Sequence, residues 1–442
     1  MLVGLTYRFS NACKYGRRVV MSRSISDSVV FTAVDRSPNI PLKTTKPLKQ
    51  GKLRVPLLKS PSHLGHSTSR VNRAYNEDEY SAKVLSLNGQ EVINFNIFDG
   101  HGGNQCSTFL KENLAQNVEN GGKEMIEGKE DLVKRYAKNI GGYWKRWYKH
   151  REKTFATWAN NRIQLTNFKQ ELKNIDLNLR LPLTFLSTDY EFCENNPKSG
   201  STSTSAYLQT LYTNQTSQFQ PFFENFYFNR KTISLLTIAH IGDTRAILVD
   251  KNGLANSLTE DHHPSNPTET QRLRRYAANF FMADSFGEER FIALANTRAF
   301  GDVDYKEVGV SAEPEVTQLI IGDSQEINQH LTTEEVKKHT INGLGGDECF
   351  LILCTDGVTN VITDQEIADV VMTRYRRSGH TKATPQMCAQ EVIKFVEFVG
   401  GDDNATILVI RLNGWGQWPN IDRTGELRQC RLDDFNPRRG SG

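Results

Sequence analysis

Four carboxylates stand out in the 442-residue chain: Glu77, Asp99, Asp356 and Asp403. Each lies in a polar, turn-like stretch, and the three aspartates sit directly beside apolar runs. Residues 91–98 stop at Asp99-Gly100, residues 349–355 stop at Asp356-Gly357, and residues 405–411 follow Asp403-Asn404. Several ionised carboxylates share a buried site only when cations compensate them. Oxygen donors without clustered Cys or His favour hard ions, Mg²⁺ or Mn²⁺, over Zn²⁺. Two such ions about 3.5–4 Å apart can hold a bridging water as hydroxide and clamp a phosphoryl group. Thiolate-based phosphoryl chemistry would instead need a Cys followed six residues later by Arg. Those positions hold Glu112 after Cys106, Ser199 after Cys193 and Asn360 after Cys354.

A lone Asp-Gly after a strand is usually a turn, so the surroundings decide. Arg73, Asn76, Glu77 and Asp78 precede Phe98-Asp99-Gly100-His101-Gly102-Gly103. Then come Ser199-Gly200-Ser201-Thr202, Gly242-Asp243-Thr244-Arg245 and Asp261-His262-His263-Pro264. Thr297-Arg298-Ala299-Phe300-Gly301-Asp302, Cys354-Thr355-Asp356-Gly357 and Gly401-Asp402-Asp403-Asn404-Ala405-Thr406 close the series. In this order the motifs resemble those of the protein phosphatase 2C (PPM) family of metal-dependent serine/threonine phosphatases. The resemblance spans residues 66–413.

The resemblance implies an α+β fold of the αββα sandwich type, with two packed, mainly antiparallel sheets and helices on the outer faces. It implies two Mg²⁺ or Mn²⁺ ions. Asp99 would bridge them, with Glu77 and the Gly100 carbonyl on one ion and Asp356 and Asp403 on the other. Arg73 would grip the substrate phosphate, a task suited to a guanidinium fork. His101 would be the general acid for the leaving seryl or threonyl oxygen. Asp78 would orient ligands or water from behind. The implied reaction is direct attack of a metal-bridging hydroxide on phosphoserine or phosphothreonine in proteins. One departure is Pro197, where many members place an Asp serving a third ion; proline cannot ligate through its side chain. Another is Thr359-Asn360, where the family usually has Trp-Asp. The rival reading is a catalytically weak pseudophosphatase acting as a binding module. Its signature would be lost metal ligands, and all four carboxylates are present.

Elements that could position these residues are legible. Residues 91–98, 232–241, 349–355 and 405–411 are short apolar runs bounded by Gly and Asp, the pattern of buried strands. Thr363 with Glu366 forms a capping box. Thr384 caps a second helix that has Pro385 at its first position. Asn266, Pro267 and Glu269 open a third, running through Leu273 and Tyr276. Strands and helices do not alternate simply, which favours packed sheets with helices outside.

Composition bounds the rest. A 38% hydrophobic, 24% charged chain is neither disordered nor a membrane bundle. No uncharged apolar run reaches transmembrane length, and seven scattered cysteines without a CxxC pair argue against a zinc ribbon or disulfide scaffold. The net charge of +3 divides into +11 over residues 1–70 and −8 over the remainder. Residues 1–30 are Arg-rich and Ser-bearing, with no acid before Asp27, the composition of a mitochondrial presequence. Residues 31–65, rich in Pro and Lys, read as an extended linker, so the folded body is expected from about His66. The phosphatase-like region, 66–413, carries insertions near 112–180 and 322–348. The first holds Trp144, Trp147, Tyr148, Phe155 and Trp158 at helical spacing beside nine Lys/Arg in residues 134–162. It reads as an amphipathic helix with a solvated basic face. The second reads as a polar surface loop, and residues 414–442 as a tail with Trp415 and Trp418. Phosphoprotein substrates are the expected partners, with mitochondrial matrix enzymes such as pyruvate dehydrogenase as possible targets. Nucleic acid is not expected, because the body is acidic.

Overall fold

A computed structural model describes residues 25–35, 50–141, 145, 147–165, 168, 176–194, 198–213, 227, 230–277, 281–283, 289–291, 294–379 and 382–434. Residues 1–24, which hold most of the expected presequence, lie outside this set, as do Trp144 and Pro197.

The strands in chain order are β1 (Ser28–Asp35), β2 (Gln50–Pro56), β3 (Leu64–Ser69), β4 (Glu79–Leu87) and β5 (Gln90–His101). Next are β6 (Gly200–Thr213), β7 (Thr232–Ile241), β8 (Arg245–Val249), β9 (Ala255–Ser257), β10 (Phe281–Ala283) and β11 (Glu289–Phe291). The last are β12 (Phe300–Gly301), β13 (Glu315–Gly322), β14 (Phe350–Cys354) and β15 (Ala405–Arg411). One sheet has the order β13-β7-β6-β5-β4, with β12 paired to β6; the other has the order β3-β15-β14-β8-β9. Every pairing within these two sheets is antiparallel.

The apolar runs are continuous because both faces of each sheet are covered. On β14 the side chains alternate. Leu351 and Leu353 enter the core between the sheets with Phe95, Ile97, Leu208 and Leu408. Phe350, Ile352 and Cys354 face the helices Asp364–Ser378 and Pro385–Phe398 on the far side. The helices Gln105–Asn120 and Leu177–Cys193 cover the outer face of the first sheet through Leu110, Leu114, Leu181 and Phe185. This is the expected αββα sandwich. The expected caps form as well. Thr363 accepts from the Glu366 amide at 3.3 Å while Glu366 accepts from the Thr363 amide at 2.8 Å, and Thr384 accepts from the Met387 amide at 3.3 Å.

Four stretches differ from the sequence reading. Within the expected 31–65 linker, the described residues 31–35 and 50–65 are not free: β1 pairs with β2, and Leu57 and Leu64 are buried in the core. Proline bars a central ladder position but permits an edge hairpin, and β2 ends at Pro56. The 322–348 insertion is two short helices, Ser324–His330 and Thr333–His339, not a loop. Asp323 caps the first, a Thr332–Glu335 capping box opens the second, and Ile327, Leu331 and Val336 pack on Ile233 and Ile320. The aromatic insertion is not one helix. The helix Lys129–Asn139 is followed by a 3₁₀ turn, Tyr148–His150, and the helix Arg151–Asn160. Trp147, Phe155 and Trp158 still cluster, with ring centroids 5.6–6.2 Å apart, and Lys134, Arg135 and Lys138 are exposed. Finally, residues 414–434 belong to the body. Trp415 and Trp418 pack against Phe350 and Tyr375, and Arg431 of the helix Gly425–Asp434 donates to Glu366 at 2.7 Å.

Candidate metal centre and active site

β5 and β7 both run antiparallel to β6, so their C-terminal ends reach the same edge of the sheet. Asp99 lies at the end of β5 and Asp243 just after β7. The second sheet contributes Asp356, at the start of the short helix Asp356–Thr359 that follows β14. One carboxylate oxygen from each of the three lies within 4.8 Å of the others. Gly242 makes the turn into Asp243 possible: its φ is +94°, and a Cβ there would lie 2.2 Å from Thr202 Cγ2.

These residues line a cleft of about 810 Å³ together with Arg73, Glu77, Gly100, His101, His263, Asn296, Asp302 and Asp403. All the site residues expected from the sequence meet there except Asp78, which lies beneath it. Asp78 is buried, and its Oδ2 accepts from Thr406 Oγ1 at 2.7 Å and Thr355 Oγ1 at 3.1 Å. Glu77 and Asp403 stand apart from the carboxylate triplet. Glu77 Oε1 accepts from the Gly103 amide at 3.0 Å. Asp403 Oδ2 pairs with Arg73 Nη2 at 2.8 Å, so the guanidinium expected to grip phosphate rests on a carboxylate.

Two residues gain a role that the sequence reading did not assign. Asp243 Oδ2 accepts from Asn296 Nδ2 at 2.8 Å and lies 3.2 Å from His263 Nε2. Asp302 holds His101: its carboxylate oxygens lie 2.8 and 3.0 Å from His101 Nε2. The signal for Asp243 was present, since Gly242-Asp243 ends an apolar run as Asp99-Gly100 does.

The electrostatics follow from crowding. Burial first, then Asp356, Asp78 and Asp243, push Asp99 well above the usual carboxylate range. Burial and Asp243 raise Asp356 to about 7. Burial raises Asp78 to about 7 against its two threonine hydrogen bonds. Asp243 goes the other way: burial would raise it, but His263 and Asn296 hold it below the usual value. For His101, burial disfavours the cation, yet Asp302 outweighs it and the net shift is upward. Asp78 Oδ1 is buried with no hydrogen-bond partner among the described residues. The three converging groups, Asp99, Asp243 and Asp356, are all carboxylates, and crowded oxygen donors of this kind fit hard divalent cations.

The comparisons place this arrangement. The family model for Protein phosphatase 2C matches residues 130–328 and 331–404. Protein phosphatase 2C homolog 4 of Schizosaccharomyces pombe is 31% identical over 394 residues, covering 88% of this chain and 89% of that protein. The chain belongs to the protein phosphatase 2C family. It is therefore a protein serine/threonine phosphatase. Another relative of this phosphatase, "Protein phosphatase 1K, mitochondrial" of Xenopus laevis, is 26% identical, covering 88% of this chain and 77% of that one. Among solved structures, a phosphatase from Toxoplasma gondii shares the fold at a TM-score of 0.50 and 19% identity, covering 80% of this phosphatase and 94% of that chain.

Proposed function

We propose that this phosphatase hydrolyses phosphoserine and phosphothreonine in proteins with two Mg²⁺ or Mn²⁺ ions. The observation that carries the reading is the convergence of Asp99, Asp243 and Asp356 oxygens within 4.8 Å on the floor of an open cleft. Glu77, Gly100 and Asp403, on the walls of the same cleft, would complete the oxygen donors. When bound, such ions supply charge neutralisation for a phosphoryl group and a water acidic enough to attack it.

The chain's own residues would do the remainder. Arg73, on the rim, would exchange its single contact with Asp403 Oδ2 for the equatorial phosphoryl oxygens, which a guanidinium fork can grip with two donors. Asp302 accepts from His101 Nε2–H, which leaves the Nδ1 proton of the imidazolium for the departing seryl or threonyl oxygen. Asp78 would hold Thr355 and Thr406, beside Asp356 and Asn404, from below.

We also place the enzyme in mitochondria. Support comes from the acid-poor, Arg-bearing N-terminus and from the Xenopus laevis relative, which is named as mitochondrial. Matrix enzymes such as pyruvate dehydrogenase are then reasonable substrates. The presequence would lie within residues 1–24 rather than the expected 1–30, because Ser26 bridges Val84 and Ser28 opens β1. The test is phosphate release from a phosphothreonine peptide by the full chain with Mn²⁺, with Mg²⁺ and with chelator, beside Asp99→Asn. Metal-dependent release that Asp99→Asn lacks supports the reading. No release with either ion contradicts it and favours a pseudophosphatase.

A further inference from the structure

Asp189 lies on the helix Leu177–Cys193, under the outer face of the first sheet, and its side chain is fully buried. A buried carboxylate costs stability unless it is fully engaged, and this one is engaged on several sides. Its Oδ1 accepts from the Gly301 amide at 2.8 Å. Its Oδ2 pairs with Lys306 Nζ at 3.0 Å, and both side chains are 0% exposed. The same oxygen accepts from the Tyr136 hydroxyl. Lys306 Nζ also donates to the Ala299 carbonyl at 2.7 Å. Asp189 thus grips the chain on both sides of Asp302, at Gly301 before it and at Lys306 after it.

Asp302 needs such a grip. Its φ is +49°, a left-handed conformation that a non-glycine residue keeps only when its surroundings impose it. Gly200 leaves no slack beneath the pair it forms with His101: a Cβ there would lie 2.4 Å from both Asp302 Oδ2 and His101 Nε2. Tyr136 reaches Asp189 from the helix Lys129–Asn139, part of the aromatic insertion. That insertion is tied to neighbouring segments too, since Trp158 Nε1 donates to Glu313 at 3.1 Å and Arg298 Nη1 donates to the Glu313 carbonyl at 3.0 Å.

We propose that Asp189 is a positioning residue for the His101–Asp302 pair, and that Tyr136 couples the insertion to it. The clamp sets Asp302, Asp302 sets the imidazole, and the imidazole delivers its Nδ1 proton to the leaving threonyl oxygen as a water-derived oxygen bonds to phosphorus and the ester P–O bond breaks. The proposal rests on the reading of His101 as general acid. It also predicts how the clamp reveals itself. A threonyl leaving group needs that proton, whereas p-nitrophenolate departs without it. General disruption of the fold would lower both reactions together.

The experiment compares kcat on a phosphothreonine peptide and on p-nitrophenyl phosphate, with the full chain and saturating Mn²⁺. Asp189→Asn should lose about 10²-fold on the peptide, the scale of a small misplacement of a catalytic group, and less than about threefold on the aryl phosphate. Tyr136→Phe, a smaller change that covers the case of an unfolded Asp189→Asn, should lose about tenfold on the peptide alone. His101→Gln is the reference and should show the same selective loss. Equal losses on both substrates, or none, in Asp189→Asn and Tyr136→Phe beside a selective loss in His101→Gln overturn the positioning role. A non-selective His101→Gln overturns the acid assignment instead, and the positioning role with it.

Discussion

His101 Nε2 lies 2.8 Å from Asp302 Oδ2, although the two residues are 201 positions apart in the chain. Asp302 makes the imidazole more basic and fixes which nitrogen is occupied. Removing the carboxylate should therefore impair proton delivery without emptying the metal site. We expect Asp302→Asn to lower kcat on phosphothreonine peptides about 10²- to 10⁴-fold, the range for a lost general acid. Steady-state kinetics beside Mn²⁺ binding will check this. Near-normal turnover would contradict it.

A second expectation concerns the segment that carries Asp302. Glu269 is 1% exposed and lies between two guanidinium groups. Its Oε1 accepts from Arg298 Nη2 at 2.6 Å, and its Oε2 accepts from Arg272 Nη2 and Thr297 Oγ1 at 2.7 Å each. Truncating one partner of a buried pair leaves charge uncompensated. Glu269→Ala should cost about 3–5 kcal/mol in urea unfolding. A cost within about 1 kcal/mol would place the network among weak surface pairs.

A third concerns acid stability. His240 is buried and stacks on His262 with centroids 4.7 Å apart. Thr204 Oγ1 lies 2.9 Å from its Nδ1, and the Glu260 carbonyl 3.1 Å from its Nε2. Burial, then His262, lowers it to about 3, with Glu315 and Asp261 acting weakly the other way. Because the folded pKa lies below the unfolded one, stability is complete above about pH 6.5 and falls as pH drops toward 3. Glu348, raised to about 8 chiefly by burial, has the opposite slope, since its folded form holds a proton that the unfolded chain releases. The histidine contribution is therefore read as a difference. Between pH 6.5 and pH 5 the native chain should lose about 2 kcal/mol more than His240→Gln. Parallel pH profiles from urea midpoints would contradict this.

A fourth concerns the C-terminal cover. Trp415 and Trp418 are 8% exposed each and edge onto Phe350 and Tyr375. Trp415→Ala should cost about 3–5 kcal/mol, seen as a lower urea midpoint with the metal site intact. A cost below about 1 kcal/mol would show that the site collapses without penalty.

What the sequence revealed was mostly local. Asp99 and Asp356 stood out because each closes an apolar strand, and the Thr363–Glu366 capping box is a pattern of four residues. Asp243 has the same signature, but a Gly-Asp turn is common. Its partners His263 and Asn296 lie 20 and 53 positions away. The clamp joins Gly301 and Lys306, which flank Asp302, to Asp189, 112 positions before Gly301, and to Tyr136, another 53 positions earlier. The helices at 324–330 and 333–339 carried legible caps at Asp323 and Thr332, yet their polar composition resembles a loop. Trp415 and Trp418 show a purpose only once β14 brings Phe350 beneath them.

In the proposed reaction, catalysis depends on Asp99, Asp243 and Asp356 forming a cation site. The direct measurement is a calorimetric Mn²⁺ titration of the native chain beside Asp99→Asn and Asp356→Asn. We predict saturable binding by the native chain and at least a tenfold weaker response in each variant, a loss of about 1.4 kcal/mol or more. Unchanged isotherms in both variants would contradict the assignment.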